Sequence, residues 1–395
     1  MSKPLDGLKI VDVTRVFAGP FCTMLLADMG ADVIKIENPK GGDDSRSFGP
    51  YKNGLSAYYM GINRGKRSVT LNLKNTRGKE ILKRLVRDAD VLVENFKPGT
   101  MKKLGLNYEV LQKENSRLIY AAASGFGQTG PYSGRAAYDL IVQGMSGFMS
   151  ITGFDAERPV KAGSSIADIF AGVFTALGIL AAVEHRNKTG QGQMVDVAMM
   201  DCMVATLENA LAFFDCTGKS PGPIGNTHRS IAPFASFPTL DGLVNICVGN
   251  DDLWRRFCEA AEMGEYVVDP RFADNKSRIE NVAELTGIVS DRTARRSTAE
   301  WTAVLDAAKV PCGPIMDIGQ VMSDPQVAAR EMIVEMEHPR AGSMRVPGVP
   351  VKFSASPAAV GWPAPDLGEH NAEIYGRRLG FSAAEIERMR EEGVI

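Results

Sequence analysis

An α/β fold wound round a parallel sheet is predicted by two features of the first two hundred residues. Short β-branched runs alternate with segments of helical apolar spacing, and they follow one another in βαβα order. KIVDVT (9–14) reads as a buried strand, AGPFCTMLLADMG as a helix closing on Gly30, and DVIKIE (32–37) as the next strand. VTLNLK (69–74) alternates like another strand, and TRGKEILKRLVRDA (76–89) is a helix with a basic outer face. VLVEN (91–95) and LIYAAAS (118–124) are strands again. A long apolar helix over 166–186, a tight turn at NKTGQGQ and a further strand or helix from Met194 complete this half. Composition then shifts at CTGKSPGPIGN (216–226), a Gly- and Pro-rich linker. GLVNICVGN (242–250) opens a second region of a strand and several helices, VPCGPIMDI (310–318) is the expected return crossing, and SAAEIERMREEG is a terminal helix capped by Ser382. In such folds ligands bind near the carboxyl ends of the strands.

A chain of 395 residues has room for two or three domains, and a net charge of −2 gives no reason to expect nucleic acid or an anionic membrane as partner. Six scattered cysteines without a CxxC pair suit a reducing, cytoplasmic setting. The N-terminus runs directly into a strand, so no signal peptide is expected. The apolar run from Ile166 is just long enough to raise a membrane span, but Asp168, its Ala and Gly content and the lack of a second span make it a core helix.

Several stretches carry chemistry. Gly125, Gly127 and Gly130 satisfy G-x-G-x-x-G after a strand, the mark of a nicotinamide or flavin oxidoreductase. That reading needs the last glycine to open a helix, and here Pro131, Ser133 and Gly134 follow. The four histidines stand far apart without metal-ligand spacing, so no metal is proposed, and no G-x-S-x-G elbow is present. Basic residues crowd NRGKRSVTLNLK (63–74) and NFKPGTMKKLG (95–105), which suits a phosphorylated ligand at strand ends. Asp168 is the one charge in its run. Ser165-Ile166-Ala167-Asp168 has capping-box spacing, so the carboxylate is either a helix cap or, held ionised by free N–H groups, a nucleophile toward an activated acyl carbon.

The motifs GLKIVDVTRVFAGPFCTMLLADMGADVIKIE, GDDSRSFGP, NRGKRSVTLNLK, VENFKPGTMKKLG, SGFGQTGPYSGRAAYD, AGSSIADIFAG, KTGQGQMVDVAM, VPCGPI and LGEHN resemble, in order and over nearly the whole chain, the class III coenzyme A-transferases of the carnitine and formyl-CoA transferase type. The resemblance implies a large Rossmann-like CoA-binding domain from 1–215 and 320–395, a smaller α/β domain from 216–319 with linkers, and an interlocked homodimer. It implies that Asp168 is the nucleophile and that Val16, Phe17, Ala18, Asn38, Leu71, Asn72, Leu73, Lys74, Asn95, Phe96, Lys97, Lys103, Arg135 and Tyr138 bind coenzyme A. Asp139 matches an acidic position near the nucleophile. Asn38 and Lys103 stand where the family often has arginine.

The implied reaction passes through an aspartyl anhydride and an aspartyl-CoA thioester, with acyl-CoA and a free carboxylate as substrates, no tightly bound cofactor, and Gly125 and Gly127 near the reacting oxyanion. The α-methylacyl-CoA racemases share the fold and form the alternative, but they use a histidine where this chain has Tyr138. Within the family, FGPYKNG, SGFGQTGP and ATLENAL look most like acetyl-CoA:oxalate CoA-transferase, while VEMEHPRAGSMRVPGVPVKFS resembles the succinate–glutarate branch. Both imply a small dicarboxylate, with Arg46, His228 or Arg229 expected at its distal carboxylate.

Overall fold

The computed structural model describes residues 2–395. It divides into two compact units. The larger runs to Met149 and adds Lys161–Cys216 and Pro325–Ile395; the second comprises Ser150–Val160 and Thr217–Asp324. The short segment Ser150–Val160 groups with the second unit because the Gly225 N–H donates to the Gly153 carbonyl at 2.8 Å and the Phe154 ring lies against Gly225.

The larger unit is built on β1 (Lys9–Asp12), β2 (Asp32–Glu37), β3 (Lys66–Thr70), β4 (Val91–Glu94), β5 (Ile119–Ser124) and β6 (Met194–Ala198). All pairings are parallel, in the spatial order β3-β2-β1-β4-β5-β6. The order reverses between β1 and β4, the switch point at which doubly wound sheets open a crevice. Helices α1 (Ala18–Asp28), α2 (Thr76–Arg87), α3 (Asp139–Met145), α4 (Ile166–Thr189) and α5 (Met199–Ala205) follow the strands. Side chains alternate across the sheet. Ile10, Val33, Val93 and Ile119 meet Leu26 of α1 and Ile179 of α4 on one face. Val11, Ile34, Leu92 and Ala122 meet Leu82 and Leu85 of α2 on the other.

Two expected elements end differently. The strand expected over 69–74 stops at Thr70, because the Asn72 side chain and carbonyl accept from Lys74 N–H (3.1 Å) and Asn75 N–H (3.0 Å) and turn the chain. The return expected at 310–318 is instead a strand of the second unit. There β7 (Phe234–Pro238), β8 (Leu243–Cys247) and β9 (Cys312–Pro314) form an antiparallel sheet over Trp254, Phe257, Phe272 and Trp301.

Helix α4 is long and apolar enough to cross a membrane, but Ala167, Ala171, Thr175, Ile179 and Ala182 form a buried stripe against α1 and the sheet. Residues 368–375 return to the open side of β3. The Asn371 Oδ1 accepts from Thr70 N–H at 2.9 Å, and the Tyr375 hydroxyl donates to the Thr70 carbonyl at 2.6 Å. They cover an edge that would otherwise be unpaired.

Gly78, in the first turn of α2, lies so close to this turn that an added Cβ would sit 2.2 Å from the Asn72 carbonyl oxygen. An ordinary helical Gly→Ala change stabilises by about 1 kcal/mol. Gly78→Ala is expected to lower the thermal midpoint instead, as measured by circular dichroism.

Candidate active site

The six strands end on one edge, and the loops leaving β1, β4 and β5 enclose a cavity of about 300 Å³ there. Val16, Phe17 and Ala18 carry the chain from β1 into α1; Asn95, Phe96 and Lys97 follow β4; Ser124 and Gly125 follow β5. Arg135 and Tyr138 lead into α3, and Asp168 in the first turn of α4 completes the wall with Met199 of α5. Loop and strand positions scattered over more than 180 residues thus converge because parallel topology delivers every carboxyl end to the same side.

Of the expected coenzyme A residues, Asn38, Leu71, Asn72, Leu73, Lys74 and Lys103 are not on this wall. Asn38 is exposed just beyond β2, and residues 71–74 lie just beyond β3, so both share the cavity's edge of the sheet one and two strands from β1. Leu71 is buried in the core with Leu73 packed against it, while Lys74 and Lys103 are exposed. The cavity's own cations are Arg15, which pairs with Asp44 at 3.2 Å, exposed Lys97, and Arg135, whose guanidinium lies 4.9 Å from the Tyr132 ring centre.

The capping box expected at Ser165 is absent. Ser165 makes no side-chain cap bond, and the Ala167 N–H is instead taken by Asp139 Oδ1 at 2.9 Å. Asp139 Oδ2 in turn accepts from Gln143 Nε2 at 2.6 Å. The Asp168 carboxylate itself accepts no hydrogen bond among the described residues. It is half-buried, and its pKa is pushed up to about 7, first by loss of hydration and second by the negative charge of Asp139. The expectation of a carboxylate held ionised by N–H groups is therefore corrected. Asp168 is an unpaired group poised to change charge near neutrality.

The glycine loop divides. Gly125 lines the cavity, packed so tightly on Ala137 that a Cβ would collide with it. Gly127 does not line it: its N–H donates to Ser124 Oγ at 3.1 Å, and the next N–H, of Gln128, donates to Asp196 at 3.0 Å. Ala18, which opens α1, lies on the wall, and Phe17 makes no side-chain cap to that helix start. Arg46 also departs from expectation. Its guanidinium is spent on both Glu37 oxygens (2.8 and 2.7 Å), the Tyr59 hydroxyl (2.6 Å) and the Pro365 carbonyl (3.1 Å). His228 and Arg229 belong to the second unit.

One neighbour of Asp168 has no sequence signal. Tyr58, in the helix Ala57–Asn63, sets its ring 5.8 Å from that of Phe17. Its phenol pKa is pushed up to about 12 by burial and then by the carboxylates of Asp168, Asp43 and Asp139. In the sequence it is one aromatic of an apolar helix, indistinguishable from a core residue.

Residues 5–371 match the sequence profile of CoA-transferase family III. The chain belongs to that family. It is 44% identical over 386 residues to an acetyl-CoA:oxalate CoA-transferase of Acetobacter aceti, covering 97% of each chain. It is 43% identical over 380 residues to a succinate–glutarate CoA-transferase of Agrobacterium fabrum, covering 94% of each. A solved CaiB/BaiF family protein from Brucella suis superposes with a TM-score of 0.86 at 40% identity, over 95% of this chain and all of that one. The enzyme is thus a CoA-transferase on the α/β fold, with its parallel sheet, that the sequence predicts.

Asp168 keeps its proton to about pH 7 in the folded enzyme, against an ordinary value of 3.8. Between those values the folded state binds more protons than the unfolded one, so this group makes stability fall as pH rises from 4 to 7. Asp168→Asn, which cannot ionise, is expected to flatten that fall, read as thermal midpoints across the same window.

Proposed function

We propose that the enzyme moves coenzyme A from an acyl-CoA donor to a free small dicarboxylate, with Asp168 as the nucleophile. The observation that carries this reading is the unpaired Asp168 carboxylate on the wall of the cavity, with its pKa near 7. An Oδ atom of ionised Asp168 attacks the thioester carbonyl, the C–S bond breaks, and an acyl-aspartyl anhydride and free thiolate result. The thiolate attacks the aspartyl carbonyl, releasing the donor acid and leaving an aspartyl-CoA thioester. The acceptor carboxylate attacks that thioester carbonyl to form a second anhydride and free the thiolate, which then takes the new acyl group and restores Asp168. One thioester replaces another, so no external energy source enters. The oxyanions formed on the way are assigned to the uncapped N–H groups at the start of α1 rather than to Gly127.

The pantetheine and phosphates of coenzyme A are assigned to the sheet edge. The cavity residues Val16–Ala18, Asn95–Lys97, Arg135 and Tyr138 lie nearest Asp168, and Asn38, residues 71–74 and Lys103 farther along. The small-dicarboxylate assignment draws on two relatives, one named for oxalate and one for succinate and glutarate. Tyr138 in place of a histidine argues against proton-transfer racemisation. A homodimer is proposed because Leu140, Ile141, Val173 and Leu177 leave a broad apolar face of α3 and α4 exposed on the single chain. A cytoplasmic setting is proposed as the one that suits six free cysteines.

Incubation with acetyl-, succinyl- or formyl-CoA and a panel of free carboxylates, followed by mass spectrometry of new thioesters, identifies the substrates. Asp168→Ala and Asp168→Asn are expected to lose exchange, and the native enzyme to gain the mass of coenzyme A less one water on that aspartate. Exchange at the native rate in both variants would overturn the assignment. In the native enzyme kcat/KM is expected to rise with pH around a midpoint near 7, as the Asp168 carboxylate ionises. Asp139→Asn, which removes a neighbouring charge but keeps an oxygen for the Ala167 N–H, is expected to move that midpoint to lower pH.

A further inference from the structure

Val16 has φ +68°, the left-handed region that a β-branched residue adopts only when its surroundings force it. It sits on the cavity wall between β1 and α1, so its conformation aims the following Phe17 ring and the uncapped start of α1. Three side chains from other parts of the sheet hold the peptide units around it. Asp43 Oδ1 accepts the Val16 N–H at 3.1 Å. Lys35 Nζ donates to the Thr14 carbonyl at 2.9 Å. Asn95 brackets Arg15, accepting its N–H at 2.9 Å and donating to its carbonyl at 2.8 Å.

Asp43 is itself fixed. Its Oδ2 lies 2.8 Å from Lys35 Nζ, with both side chains out of water, and its Oδ1 also accepts the Ser45 N–H and hydroxyl at 2.9 and 2.7 Å. Its N–H donates to Glu37 Oε2 at 3.0 Å. A carboxylate so immobilised presents one oxygen to the Val16 peptide with no freedom to follow it elsewhere. Asp43 does not line the cavity. We propose that Asp43, braced by Lys35, is a positioning residue of the transferase: it holds Val16 in the left-handed conformation that sets the β1–α1 wall of the active site. The assignment rests on the cavity being the active site.

The test compares Asp43→Asn with Asp43→Ala in the exchange assay, alone and combined with Val16→Gly, alongside thermal midpoints. Both substitutions lose the ion pair and melt earlier, but asparagine keeps an oxygen for the Val16 N–H. Asp43→Asn is expected to keep kcat within about threefold, and Asp43→Ala to lose about tenfold or more. Glycine adopts positive φ without strain, so Val16→Gly added to Asp43→Ala is expected to recover part of that loss. Equal losses in Asp43→Asn and Asp43→Ala, an unchanged kcat in Asp43→Ala, or strict additivity with Val16→Gly would overturn the proposal. Should Asp43→Ala not fold, Lys35→Met with Asp43→Leu takes its place, removing both charges together. Asp168→Asn is run beside these. If it stays active, the cavity is not the active site and both readings fall. If it is inactive while the Asp43 variants match the native enzyme, only the positioning role falls.

Discussion

The constraint on which the larger unit depends is a set of charges sealed beneath the sheet edge that carries the cavity. Asp12, Lys35 and Lys66 are fully buried, and Glu37 and Asp43 nearly so. Each is matched. Lys66 Nζ meets Asp12 at 3.1 Å, the Pro20 carbonyl at 2.9 Å and Asn63 at 2.9 Å, while Asp12 also accepts from Thr14 and Thr23. Such a cluster contributes little net stability over an apolar core, yet losing one member strands another charge without water. Its value is geometric. It leaves the β1–α1 connection one arrangement, and that connection is a wall of the cavity at the sheet edge.

Asp168 is the counterpart to this order. The network lowers the pKa of Asp12, Glu37 and Asp43, where opposite charges and hydrogen bonds outweigh burial. Asp168, half-buried on the cavity wall, loses hydration without gaining such partners, so its pKa moves the other way. Loss of water is thus offset where a carboxylate has cations and donors beside it, and left uncompensated at Asp168. Asp139 sharpens the contrast, since it accepts the Ala167 N–H at the mouth of α4 and adds its own charge beside Asp168.

The sheet was legible because strands buried on both faces are rich in β-branched and apolar residues even where a buried charge interrupts them, and KIVD, DVIKIE, VLVE and IYAAAS all appear as strands. VTLNLK misled because Leu71 and Leu73 alternate with polar residues although Asn72 turns the chain. At Asp168 the spacing pointed to a cap, and the competitor lay 28 residues away, beyond the reach of local pattern. The wall residues after β1 and β4 were found by resemblance to a family, not by periodicity. Arg15 joins the wall beside the expected Val16, and Asp44 reaches it only through the tertiary fold, while Tyr58 lies behind it against Phe17.

The cover over β3 has a consequence for how the molecule is made. The Thr70 N–H waits for an acceptor 301 residues later in the chain. At ribosomal speeds of about 5–20 residues per second, that edge of the parallel sheet stands open for roughly 15–60 s while the rest of the larger unit and the second unit are synthesised. Contacts this distant in sequence close slowly even in a finished chain. For that interval the nascent enzyme carries an unprotected strand, the feature through which chains pair wrongly with one another.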